Sequence, residues 1–158
     1  MTSLFAAVFG VFVVLSAAAR ADGAPPASDP RNLTADQSQA LLRSLDAGKP
    51  HTIKIVADPD GSEAANYALA IAMRLGLAGW RIEGSEIARL APPGLGAIRG
   101  VALVVRDEKY PPAIAAQLEK ALAAAQVAAP LVSRPDMAGD AAMLWVGKRL
   151  DSDAAAAP

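Results

Sequence analysis

Cysteine is absent from the 158 residues, which removes disulfide staples, thiolate nucleophiles and zinc–thiolate centres at once. Histidine occurs once, at His51, so no histidine pair or Ser-His-Asp triad can form around it, and a lone general base is the most it could supply. Neither sign of charge is in excess. Fifteen Lys and Arg against 16 Asp and Glu leave a formal charge of −1, with no field to draw the chain onto phosphates or anionic lipid. Nucleic acid is therefore not an expected partner. Aromatic residues make up 4% of the chain, and all three Phe (Phe5, Phe9 and Phe12) fall in its apolar start. The core must be built from Leu, Ile, Val, Met, Ala and two Trp, with less apolar area per residue than a Phe-containing core.

Charge is also missing from residues 4–19 (LFAAVFGVFVVLSAAA), a run of 16 that ends at Ala19-Arg20-Ala21. Residues 1–21 read as a signal peptide with an A-x-A cleavage site, or as an uncleaved single-pass membrane anchor. Both readings place the rest of the chain in the periplasm or elsewhere outside the cytoplasm, with membrane contact through this segment alone. Residues 22–32 are rich in Pro, Ala and Asp and read as a flexible linker. Residues 33–150 have room for a single α/β domain. Residues 151–158 (DSDAAAAP) carry too little apolar pattern to fold and read as a disordered tail.

Within the domain, Thr34-Ala-Asp-Gln37 has the spacing of a capping box ahead of a short peripheral helix carrying Leu41, Leu42 and Leu45. Residues 52–57 (TIKIVA) alternate as a half-buried strand, and Asp58-Pro-Asp-Gly61 breaks it. A helix over 62–78 repeats Ala64, Ala68, Ile71, Ala72 and Leu75. Gly79 is placed to close it in the left-handed conformation, with Trp80 folding back on Leu75. A second strand at 80–83 and a third at 98–105 come next, the third apolar on both faces and hence central. Pro112 fits the first turn of a helix bearing Ile114, Leu118, Ala121, Leu122 and Ala125, which Pro130 is expected to stop. Residues 131–133 form a short extended piece, and 142–146 (AMLWV) the last strand.

About fourteen residues separate the second strand from the third, too few for a crossover helix beside the Pro-Pro-Gly turn, so these strands are expected to pair antiparallel. The fold class expected is α+β: a two-layer split β-α-β (ferredoxin-like) βαββαβ sandwich with an extra N-terminal helix. A flavodoxin-like three-layer α/β fold is the alternative.

Several stretches resemble small envelope α/β domains of GC-rich bacteria: IKIV with its acidic turn, Ala-Asn-Tyr67-Ala leading to Ala-Gly-Trp80, Pro-Pro-Gly94, and Leu-Trp145-Val-Gly147-Lys. That resemblance spans residues 52–148 and implies a fold without an activity. IVADPD, the Gly-Trp before a strand and VALVVRDEKY are more loosely similar to Toll/interleukin-receptor domains. Asp58-Pro-Asp60-Gly61-Ser62, directly after a strand, resembles the D-x-D-G-[ST] motif of haloacid-dehalogenase-like phosphatases. This resemblance implies Asp58 as nucleophile, Asp60 as acid/base, and both as Mg²⁺ ligands. The bland reading of the same residues is a helix start, with Asp60 as cap and Glu63 completing a capping box. Asp58, Asp60 and Glu63 are also the candidate set for simple metal binding.

Gly94-Leu-Gly96 is a weak candidate phosphate cradle, read more simply as a tight turn. Arg99, Arg106, Lys109, Lys148 and Arg149 are candidates to converge on an anion, against the simpler reading of solvated strand-end charges. If both main helices cover one face of the sheet, its other face keeps apolar side chains. Val104 and Trp145 are the candidate binding residues there.

The expectation is an exported cell-envelope binding module without a cofactor, acting through an open sheet face. Its partner would be another envelope protein or a second copy of itself. The alternatives are a Mg²⁺-dependent phosphatase using Asp58 and Asp60, and a structural envelope component tethered by its leader.

Overall fold

The computed structural model describes residues 31–45, 49, 51–84, 87–89 and 92–150. They form a mixed α/β fold with three helices and a five-stranded mixed sheet. In chain order the elements are α1 (Ala35–Leu45), β1 (Thr52–Ala57), α2 (Ser62–Leu77), β2 (Arg81–Ile82), β3 (Val101–Val105), α3 (Ala113–Ala124), β4 (Leu131–Ser133) and β5 (Ala142–Val146). The expected leader, most of the linker and the tail lie outside the described residues. Among those described, no helix is long and apolar enough to cross a membrane.

Local chemistry accounts for most helix ends. The Thr34 hydroxyl accepts the Gln37 amide N–H (3.2 Å) and the Gln37 side chain accepts that of Thr34 (3.0 Å), so the capping box forms as spaced. α2 ends in the Schellman pattern. Gly79 has φ +83°, its N–H donates to the Gly76 carbonyl, and Trp80 N–H reaches back to the Leu75 carbonyl at 2.9 Å. α3 stops the same way, which corrects the expected stop at Pro130. Gln126 takes φ +57°, and Val127 N–H bonds the Leu122 carbonyl. Pro112 is the residue that caps α3 rather than its first helical residue.

The strand order is β2-β1-β5-β3-β4. β2, β1 and β5 run parallel, while β3 and β4 are parallel to each other and antiparallel to the rest. This departs from both expected topologies. In a split arrangement a strand lies between the two halves of each β-α-β unit; here α2 joins neighbours β1 and β2, and α3 joins neighbours β3 and β4. The direction reversal at β5–β3 likewise departs from an all-parallel flavodoxin-like sheet. β2 and β3 do not pair. The chain between them, short as it is, crosses from one side of the sheet to the other instead of turning back as a hairpin.

Alternate residues of the central strands enter two separate clusters. Ile53, Ile55 and Ala57 of β1, Val101, Leu103 and Val105 of β3, and Leu144 and Val146 of β5 pack with Leu41, Leu45, Ile71, Leu75, Leu118 and Leu122 of the helices. α1 is not peripheral. It lies against both α3 and α2, with Leu41 and Leu45 buried. Val56, Ala102, Val104, Met143 and Trp145 point the other way and are joined by Leu95, with Ala88, Ile98 and Met137 packed around them. Among the described residues, no helical one belongs to this second cluster.

Candidate functional site

The second face is where the expected binding residues fall, and it is only partly open. Val104 and Trp145 both point to it, yet both are 0% exposed, which corrects the expectation that they present themselves to a partner. The cover comes from the connection between β2 and β3. Ala88 extends the sheet beside β1, exchanging backbone bonds with Ile55 and Ala57. The chain then turns at Pro92, Pro93, Gly94 and Leu95, closed by the Leu95 N–H on the Pro92 carbonyl (3.0 Å). Gly94 has φ +83°, as the third residue of a type II turn requires. That assigns Gly94-Leu-Gly96 to a turn rather than a phosphate cradle. The Ile98 carbonyl then accepts the Trp145 indole N–H at 3.0 Å, the bond a buried Trp needs.

Beyond this cover the face opens into a groove of about 480 Å³. Lys54, Val56 and Met143 line its floor, Ala88, Pro92 and Pro93 one wall, and Arg134, Asp136, Met137 and Ala138 the other. The second wall is the loop between β4 and β5, held by a bidentate ion pair. Arg134 Nε and Nη2 donate to the two Asp136 carboxylate oxygens at 2.7 and 2.9 Å. Those bonds hold the Asp136 carboxyl below the usual aspartate range. On the floor, Ile53 is paired with Ile82, so Lys54 occupies the register position beside Glu83, and both line the groove. The lining therefore holds two positive and two negative side chains, Lys54 and Arg134 with Glu83 and Asp136, and the remaining surface is apolar.

Reasoning from sequence had missed these residues. Strand alternation places Lys54 with Val56, and Arg134-Pro-Asp136 has turn character. Neither signal says that two distant loops face each other across β1 and β5.

The acidic turn after β1 is arranged differently from the motif it resembles. Asp58 is 4% exposed, and its Oδ1 accepts the Asp60 N–H (2.9 Å), an Asx turn. Gly61, not Asp60, is the N-cap of α2, and no side chain caps the helix, so the expected capping box is not formed. Asp60 extends toward Lys148 (Oδ2 to Nζ, 3.5 Å), while Glu63 meets Arg31 (2.9 Å). Arg31 also donates to the Gly147 carbonyl (3.0 Å) and lies 4.3 Å over the Tyr67 ring, which pins the start of the described chain to α2 and β5. The three acids are thereby turned to three different partners. Among the described residues, no group of three or more His, Cys, Asp and Glu is placed to hold a metal ion.

His51 lies at the entrance to β1, with Nε2 3.0 Å from the Gln117 side-chain oxygen and its ring edge-on to Trp80 at 5.2 Å. These are packing contacts. The five basic candidates do not converge. Arg99, Lys148 and Arg149 lie where β3 begins and β5 ends, whereas Arg106 and Lys109 come after the far end of β3, roughly 17 Å away along a five-residue strand. Arg99 and Arg149 line, with Arg31, a separate cleft of about 540 Å³. No family model, no curated protein and no solved structure matches this chain.

Proposed function

We propose that this chain is an exported, non-catalytic binding module of the cell envelope. Its groove takes a short, extended, uncharged and mainly apolar segment of a partner protein. Export is supported by the charge-free run at 4–19 and the Ala19-Arg20-Ala21 that comes after it. The finer reading of the fold that goes with this is two layers, three helices on one side and the groove on the other, supported by the absence of helical residues from the second cluster. The observation that carries the proposal is the groove's charge balance. Arg134 is spent on Asp136, and Lys54 and Glu83 add one charge of each sign to the lining, so the groove carries no net charge that would select a charged ligand. Val56, Met143 and Met137 offer apolar area, and Met adapts to varied side chains.

Titrating the isotope-labelled protein with short, end-blocked apolar peptides tests this by NMR. Shifts are expected at Lys54, Met137 and Met143, and they should vanish in Ala138→Trp, which fills the groove from an exposed wall position. Shifts elsewhere, or no saturable binding, would sink the reading and leave a structural envelope component. Hydrolysis of a generic phosphomonoester with Mg²⁺ that disappears in Asp58→Asn would replace it with the phosphatase.

A further inference from the structure

Charges of both signs line the groove, but not the second cleft. Arg31, Arg99 and Arg149 come from the start of the described chain, the approach to β3 and the exit from β5, and all three line that cleft of about 540 Å³. Among the described residues of its lining there is no Asp or Glu. In a chain of 15 basic and 16 acidic residues, three cations on one surface without an acid are a local arrangement and not a reflection of composition. Glu63 reaches Arg31 from outside the lining. Val101, Val127 and Leu150 supply apolar wall.

The chain itself leads acids toward these cations. The end of β5 is tied to the start of β3, because Gly147 N–H donates to the Gly100 carbonyl and Gly100 N–H to the Lys148 carbonyl, both at 2.7 Å. Leu150 continues along the same line. Its Cδ1 lies 3.3 Å from the place a Cβ on Gly100 would take, and it lines the cleft itself. The residues that come next are Asp151, Ser152 and Asp153. Three residues of chain span at most about 11 Å, so both carboxylates start within reach of Arg149 and of Arg99, which adjoins Gly100.

We propose that this cleft is a carboxylate-binding site and that its occupant is the chain's own Asp151-Ser-Asp153. In an extended run, residues two apart project to the same side, so a single pass across the mouth presents both carboxylates to Arg99 and Arg149. Arginine suits the task, because its planar fork takes a carboxylate through two parallel hydrogen bonds. An acid pair carried on the same chain acts at an effective concentration on the order of millimolar, and a free anion has to displace it. Ion pairs near the surface are individually weak and are screened by salt. The strap therefore opens and closes reversibly, and opens more in high salt. The cleft shares no lining residue with the groove, so the assignment stands apart from what the groove binds.

The absence of cysteine allows a single label to test this. Ala154→Cys in the full isotope-labelled chain is coupled to a nitroxide, and the broadening of backbone amides is read by NMR. Gly100 lies beside the tether and broadens wherever the segment goes. The informative amides are those of Asn32, Gln126 and Ala128, which other parts of the chain bring to the cleft. They are expected to lose most of their intensity with both aspartates present and to regain it when Asp151→Asn and Asp153→Asn are added. Equal loss with the asparagines, or the strongest loss on another surface, would overturn the proposal. Without the label, the Asp151 and Asp153 carboxyl carbons are expected to titrate below the ordinary aspartate range and to return to it in Arg99→Gln with Arg149→Gln. Ordinary midpoints in the native chain, or midpoints that the glutamines leave unmoved, would overturn it. So would inorganic phosphate that shifts the Gly100 and Gln126 amides equally well with and without the two aspartates, which would make the cleft a site for free anions.

Discussion

Gly147 shows how little space separates β5 from the loop that covers it. A Cβ at this position would collide with the Ile98 carbonyl and sit 3.0 Å from Trp145 Nε1, displacing the hydrogen bond that holds the cover to the sheet. Gly147→Ala should destabilise the fold by about 2 kcal/mol or more, read by urea denaturation. Trp145→Phe, which keeps most of the ring and leaves the Ile98 carbonyl without its donor, should cost about 1–2 kcal/mol. Asp136 has a signature in pH. The Arg134 bonds lower its folded pKa, so their contribution is fully present above the ordinary aspartate range and is lost as pH falls through the lowered value. Following its carboxyl carbon by NMR, the midpoint should lie below the usual aspartate value in the native chain and return toward it in Arg134→Ala. The exposure of the pair keeps its effect on global stability small.

At the scale of single elements, the sequence was most legible where structure is local. Thr34 and Gln37 announce the start of α1, and Gly79 announces the end of α2, because a hydroxyl, an amide and an achiral Cα act within one turn of chain. Gln126 announced nothing. A non-glycine residue held at positive φ is strained, and only the packing of Val127 and Ala129 into the core requires the turn there. Gln126→Gly should therefore stabilise the protein by about 0.5–1 kcal/mol, raising its thermal midpoint. α2 has the opposite defect, a start with no side-chain cap. Gly61 has an extended backbone that any residue can adopt, and an added Cβ would meet Ala64 at an ordinary 3.5 Å. Gly61→Ser should add a few tenths of a kcal/mol, provided the Asx turn at Asp58 is kept.

Across the whole molecule, the decisive unknown was the path from β2 to β3. Proline and glycine at 92–94 mark a turn but do not say whether it reverses the chain beside its neighbour or carries it over the sheet. Leu95 distinguishes the two. In a hairpin it would sit at an exposed tip; in the structure it is buried with Trp145 and Val56. Leu95→Ala should therefore cost about 2–3 kcal/mol, measured by chemical denaturation, whereas a hairpin tip would tolerate it. The same path decides the groove. Without the cover, the second face would be the broad open surface expected from sequence, with Val104 and Trp145 in contact with solvent. With it, the open part contracts to the strip between Pro93 and Met137.

What the sequence determined alone was the set of elements and the apolar side of those that alternate, such as α1, α2, α3 and β1. Periodicity and caps are properties of a few consecutive residues, and the alternation in TIKIVA puts Ile53 and Ile55 on one side, whereas AMLWV is apolar throughout and buried on both faces, so only its neighbours decide which side meets the helices. Strand order, the crossing marked by Ala88 and residues 92–98, and the meeting of Lys54 with the Arg134–Asp136 loop were decided by tertiary structure. β5 fits between β1 and β3 because Val56 and Ala102 both complement Trp145 in register, and side chains 43 or more residues apart find one another only when the chain has collapsed.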